Sequence, residues 1–139
     1  EGPVDLIREQ IRMGLGEDMG YSQEDISLDG VSIEYRIIAE DPDNRFSPSS
    51  GTITRFEWPG EPWLTVSTQV PTDTSYQIPT EFDPNLALAI VWGESLEQAK
   101  DRGRRFLESL VLEGVEPGGG PLHTNINFLL HKNERLLEF

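Results

Sequence analysis

The chain has 139 residues, 11 basic against 25 acidic side chains for a formal net charge of −14, and no cysteine. That length is one domain or a piece of a larger one. The acidic balance leaves no basic stripe for nucleic acid or an anionic membrane, disulfide and thiolate chemistry are excluded, and the absence of a long apolar run or charged leader makes a cytoplasmic protein the expectation.

Glu1-Gly2-Pro3 leads straight into helical periodicity, as in a chain cut at a domain boundary. Val4, Ile7, Ile11 and Leu15 mark one face of a first helix, ended by Gly14 and Gly16. The polar stretch Glu17 to Asp29 reads as a loop. Then Val31, Ile33, Tyr35, Ile37 and Ala39 alternate with Ser32, Glu34, Arg36, Ile38 and Glu40, the period of a half-buried strand. Arg36 falls on its polar side, opposite Tyr35.

Asp41-Pro42-Asp43-Asn44 and Pro48-Ser49-Ser50-Gly51 carry turn chemistry. Thr52 to Glu57 and Trp63 to Val70 are expected as further strands, with a loop rich in Pro, Thr and Asp running on to Pro79. Leu86 to Trp92 is nearly all apolar, which predicts a strand buried on both faces. Ser95 and Gln98 form a capping-box signature. Leu96, Ala99, Gly103, Phe106, Leu107, Leu110 and Val111 then draw a helical stripe, with Gly114 where a C′ glycine belongs. Arg102, Arg104 and Arg105 read as the solvated face of that helix.

Pro117 to Pro121 predicts a flexible glycine-rich loop. Thr124 is expected to cap a last helix with Ile126, Leu129, Leu130 and Leu137 on its apolar side. His123 and His131, with no metal-ligand pattern around them, are placed on the surface of that helix. The order is helix, four or five antiparallel strands, two helices. This is an α+β domain, an antiparallel sheet with flanking helices.

The segment Glu34-Tyr35-Arg36-Ile37-Ile38-Ala39-Glu40-Asp41-Pro42-Asp43 goes further. It resembles the C-R-I-x-A-E-D-P signature of biotin carboxylases, the ATP-dependent components of acetyl-CoA, propionyl-CoA and pyruvate carboxylases. Phe46, Pro48, Ser49, Gly51, Thr52, Ile53, Thr54 and Arg55 continue it as F-x-P-S-x-G-x-I-T-R. Val4 to Gln10 is similar to the helix after the family's catalytic strand. Phe82-Asp83, Trp92-Gly93-Glu94 and Thr124-Asn125-Ile126 resemble the Y-Y-D, W-G-E-N and T-N landmarks, in the same order.

The resemblance implies the family's C-terminal domain, of the rudiment single hybrid type, packed on an ATP-grasp core and spanning residues 1–139. In that family ATP and bicarbonate give carboxyphosphate, which carboxylates a ureido nitrogen of biotin. The arginine at the position of Arg36 holds the ureido oxygen as negative charge develops, so Arg36 is the expected catalytic and substrate-binding residue. Asp83 is the expected structural support, a partner of basic residues at the domain junction. Biotin on a carrier domain, ATP and magnesium belong to the parent enzyme, and the isolated piece is expected to hold none of them and to be inactive. The implied partners are the ATP-grasp domain, the biotin carboxyl carrier domain and a carboxyltransferase component, with homo-oligomerisation left open.

Four departures qualify the resemblance. The E-x-N-x-R strand with the magnesium ligands and catalytic base would lie upstream of Glu1. Leu88 stands where the family usually has a lysine, and Pro117 to Pro121 is an insertion. Trp63 to Ser67 lacks the arginine of the bacterial dimer contact. Two alternatives therefore stand beside the carboxylase reading: a non-catalytic docking or assembly domain of the same fold, and the C-terminal domain of another ATP-grasp ligase such as a glycinamide synthetase. The E-D-P run followed by P-S-x-G-x-I-T-R favours the carboxylase.

Overall fold

A computed structural model describes residues 4–136. Glu1, Gly2, Pro3 and Leu137 lie outside them, so the expectations about the chain's first residues and about Leu137 are not addressed. The first helix, α1, spans Leu6–Gly14 and is capped by Asp5, whose carboxylate accepts the Arg8 backbone N–H at 3.0 Å. None of its residues is buried, and Leu6, Ile7 and Ile11 are all more than half exposed. The loop that follows holds one 3-10 turn, Gln23–Asp25.

The half-buried strand forms as expected. β1, Val31–Ile38, buries Tyr35 and Ile37 and exposes Ser32, Glu34 and Arg36. Past Ala39 the chain makes a two-residue ladder, β2 (Glu40–Asp41) with β3 (Ser47–Pro48), around the 3-10 turn Pro42–Asn44. Pro48 thus pairs as a strand residue, where turn chemistry alone was expected. β4 is Thr52–Glu57, β5 is Leu64–Thr68, and the loop before Pro79 contains a short β6, Tyr76–Gln77.

β7, Asn85–Gly93, is the middle strand of an antiparallel sheet in the order β1–β7–β5. The prediction that it is buried on both faces fails. Ala87, Ala89 and Val91 are buried, but Ile90 is 41% and Trp92 38% exposed. An all-apolar run cannot report that one of its faces is uncovered.

The helix α2 is Leu96–Ser109, capped by the Ser95 hydroxyl accepting the Gln98 N–H at 3.3 Å. It buries Ala99, Gly103, Phe106 and Leu107 against the inner face of the sheet. It stops earlier than its stripe suggested, because Leu110 turns extended and β8, Val111–Val115, pairs antiparallel with β4. Gly114 is therefore a strand residue and not a helix C′ glycine; a Cβ there would come within 2.7 Å of the Thr52 carbonyl oxygen.

β8 completes a second sheet, β6–β4–β8. The glycine-rich insertion folds back on it as a small hairpin, with Val115 bridged to Pro121 and the Glu116 N–H donating to the Gly120 carbonyl at 2.8 Å. The last helix, α3, is Ile126–Glu134 and packs on α2. The core joins the inner faces of both sheets to the two C-terminal helices, with Phe56, Phe106, Ile37, Ile53 and Leu107 essentially sealed. The result is α+β with antiparallel sheets and three helices, as expected. Among the described residues no helix is long and apolar enough to cross a membrane.

Candidate functional site

The outer face of β1–β7–β5 is where chemistry gathers. Period-2 alternation puts Glu34 and Arg36 outward, and the antiparallel register aligns Arg36 with Leu88 and, one strand further, Ser67. Glu34 aligns in the same way with Ile90 and Thr65, and Ser32 with Trp92. Arg36 thus stands on an edge strand beside the apolar central row Leu88, Ile90 and Trp92, with half its side chain in water.

Asp83, reached by the turn before β7, comes to Arg36: Nη2 lies 3.6 Å from Oδ2. Sequence reasoning named both residues, and the fold brings them together. The contact is a charge pairing at a distance too long for a hydrogen bond, and both partners are more than half exposed, so it orients the guanidinium more than it stabilises the fold. The other oxygen, Oδ1, accepts the Asn85 backbone N–H at 3.1 Å and fixes the turn.

Ser67, Phe82, Asp83, Asn85 and Leu88 line a groove of about 620 Å³ on this face. The Asn85 side-chain oxygen is sealed from solvent and has no hydrogen-bond partner among the described residues.

Sequence reasoning missed the residue that holds β1 from the other end. Thr124 was the expected cap of α3, but Asn125 occupies the N-cap position and makes no capping bond. Its buried amide reaches β1 instead, accepting the Ile38 N–H at 2.9 Å and donating to the Arg36 carbonyl at 3.0 Å. The side chain thereby mimics a neighbouring strand beside Arg36. The T-N motif was visible in the sequence, but the Asn partner lies 89 residues from Arg36.

The expected solvated arginines divide. Arg104 pairs with Asp101 and Glu108, as a surface residue would. Arg102 lies 5.6 Å from both the Trp63 and Trp92 ring centres, with Arg105 over Trp63 at 5.7 Å.

His123 is not on α3 as expected; it precedes the helix, and its Nδ1 lies 2.8 Å from Glu116, which also accepts the Ser49 hydroxyl at 2.6 Å. Those two bonds, the serine's foremost, hold the Glu116 carboxyl below its ordinary range, and the bond to Glu116 raises the His123 imidazole. His131 is exposed on α3.

A family model for the biotin carboxylase C-terminal domain matches residues 34–133. The chloroplastic biotin carboxylase of Arabidopsis thaliana is 44% identical over 112 residues, which is 81% of this chain and 20% of that protein. The 2-oxoglutarate carboxylase small subunit of Hydrogenobacter thermophilus is 42% identical over 113 residues, 81% of this chain and 24% of the subunit. The crystal structure of the biotin carboxylase domain dimer from that organism's 2-oxoglutarate carboxylase, in complex with magnesium ADP, ADP and bicarbonate, superposes with a TM-score of 0.82 and 39% identity. It covers 94% of this chain and 27% of that one. The chain therefore spans about a fifth to a quarter of the length of the curated relatives it matches. One of them is chloroplastic, so family membership does not fix a compartment.

Proposed function

The chain belongs to the biotin carboxylase C-terminal domain family, and we propose that residues 1–139 serve as that domain in a longer ATP-dependent carboxylase, supplying Arg36 to its biotin site. On this reading the nucleotide, magnesium and bicarbonate ligands belong to the remainder of the parent. That remainder, an ATP-grasp core, covers the outer face of β1–β7–β5 and the apolar side of α1. A carrier domain brings biotin to Arg36, and a carboxyltransferase component takes the carboxyl group onward.

The observation that carries the proposal is the position of Arg36: outward, beside an uncovered apolar face, with its guanidinium steered by Asp83. When carboxyphosphate carboxylates a ureido nitrogen, charge grows on the ureido oxygen. A guanidinium is always protonated and offers a planar fork of donors to that oxygen. Leu88, Ile90 and Trp92, once covered, exclude water around it, and a charge contact strengthens as the local dielectric falls. Leu88 in place of a lysine leaves Arg36 without a competing cation on its own row.

The test is Arg36→Ala in the full-length parent. Bicarbonate-dependent ATP cleavage should survive while biotin carboxylation falls by about 100–1000-fold, the loss typical of one oxyanion contact. A fall of less than about threefold, in a step that such a contact governs, would return Arg36 to the role of a plain strand arginine.

A further inference from the structure

Among the described residues β1 is an edge strand, laddered to β7 on one side, and that ladder loses register between Ile37 and Ile38, next to Arg36. An irregular step of this kind bends a strand and re-aims the side chains beside it. A single residue closes the open edge at that place. Asn125, only 3% exposed, donates its backbone N–H to the Ile38 carbonyl at 3.1 Å and accepts the Ile38 N–H on Oδ1 at 2.9 Å. Its Nδ2 donates to the Arg36 carbonyl at 3.0 Å. Three hydrogen bonds thus bracket the irregular step from the side away from β7. No local role competes for this side chain. Asn125 stands at the N-cap of α3, but its backbone at φ −84° and ψ 8° is not extended as a capping residue's is, and it makes no capping bond.

We infer that Asn125 is a positioning residue for Arg36, fixing the backbone from which the guanidinium reaches out. The inference rests on the reading of Arg36 given above and assigns its aim to a residue that bonds the strand, not the guanidinium. Asp83 cannot set that aim alone, because its 3.6 Å contact joins two side chains that are both more than half exposed and is too long for a hydrogen bond. The placement of the guanidinium therefore falls to the backbone that carries it. A donor stabilises developing charge fully only when it is already in place, and a misplacement of about 1 Å can cost on the order of 100-fold in rate.

Asn125→Asp separates the two side-chain bonds. The carboxylate can still accept the Ile38 N–H, but it has no N–H for the Arg36 carbonyl and sets an oxygen against it. In the full-length parent, kcat for biotin carboxylation should fall about 10- to 100-fold, while bicarbonate-dependent ATP cleavage stays within about twofold of the unmutated enzyme. A purely structural role would lower both reactions together. In an Arg36→Ala parent the same substitution should cost biotin carboxylation nothing more, because the group it positions is gone. Asn125→Ala, which removes both side-chain bonds and adds no charge, repeats the comparison if the aspartate variant folds poorly. Equal losses in the two reactions, no loss in either, or an undiminished further loss in the Arg36→Ala background overturns the inference and leaves the reading of Arg36 intact. If Arg36→Ala itself spares biotin carboxylation, that reading falls and this one with it.

Discussion

Arg36 is held in place from two sides. Asn125 bonds the backbone at Arg36 and Ile38, and Asp83 meets the guanidinium. A second buried-to-surface contact, Ser49–Glu116–His123, ties the inserted hairpin to the turn before β4, and it responds to pH. Glu116 is held below its ordinary 4.5, so its contribution is present above that pH and is lost on acidification through its folded value. His123 is raised above its ordinary 6.5, so its contribution is complete below that pH and is lost as pH climbs through its folded value. The two windows overlap between 4.5 and 6.5. Urea midpoints of the chain should therefore decline as pH rises above 6.5, and His123→Gln should flatten that decline. Identical slopes in the two proteins would show that the pairing contributes nothing. The bonds of Asn125 to β1 and of Ser49 to Glu116 were not legible in the sequence, because each joins positions that only the folded chain makes neighbours. Arg36 and Asp83 were legible because the E-D-P and Y-Y-D landmarks surround them.

Among the elements, β1 and α2 share a contact that the sequence hides. Gly103 sits on α2 where a Cβ would collide with the Tyr35 hydroxyl, and that hydroxyl donates to Asn133 on α3 at 2.6 Å. Burial pushes the Tyr35 phenol up to about 12, so it stays a neutral donor. Gly103→Ala should destabilise the chain by about 1–3 kcal/mol through overpacking, even though alanine is favoured over glycine in a helix by about 1 kcal/mol. In the Tyr35→Cys background, which removes the phenol from β1, the same Gly103→Ala change should be neutral or stabilising. A coupling of at least about 1 kcal/mol is expected from a denaturation cycle, and simple additivity would contradict direct packing of the pair.

The same scale shows which elements local pattern can find. β1 alternates and appeared where expected, and β4 did too although a register shift between Ile53 and Arg55 leaves its buried residues, Ile53 and Phe56, three apart. β8 did not, because Leu110, Val111 and Leu112 continue a helical stripe as readily as they begin a strand. Only β4, more than fifty residues away in the chain, decides between them. The loop before Pro79 hid β6 for the same reason: its two residues are strand only because β4 pairs with them.

At the scale of the whole molecule, burial is one-sided. The inner faces of the sheets close on α2 and α3, while α1 buries nothing and Phe82, Ile90 and Trp92 stay open on the Arg36 face. An exposed apolar patch of this kind marks an interaction surface, and on the reading proposed above its occupant is the remainder of a longer carboxylase. The most direct measurement is hydroxyl-radical footprinting of the chain alone against the full-length parent. Oxidation at Ile11 of α1 and at Phe82, Ile90 and Trp92 should fall severalfold in the parent, while the sealed Phe56 and Phe106 stay unreactive in both. Equal oxidation of the four exposed residues in chain and parent would contradict the account, because the face that presents Arg36 would then have nothing to meet.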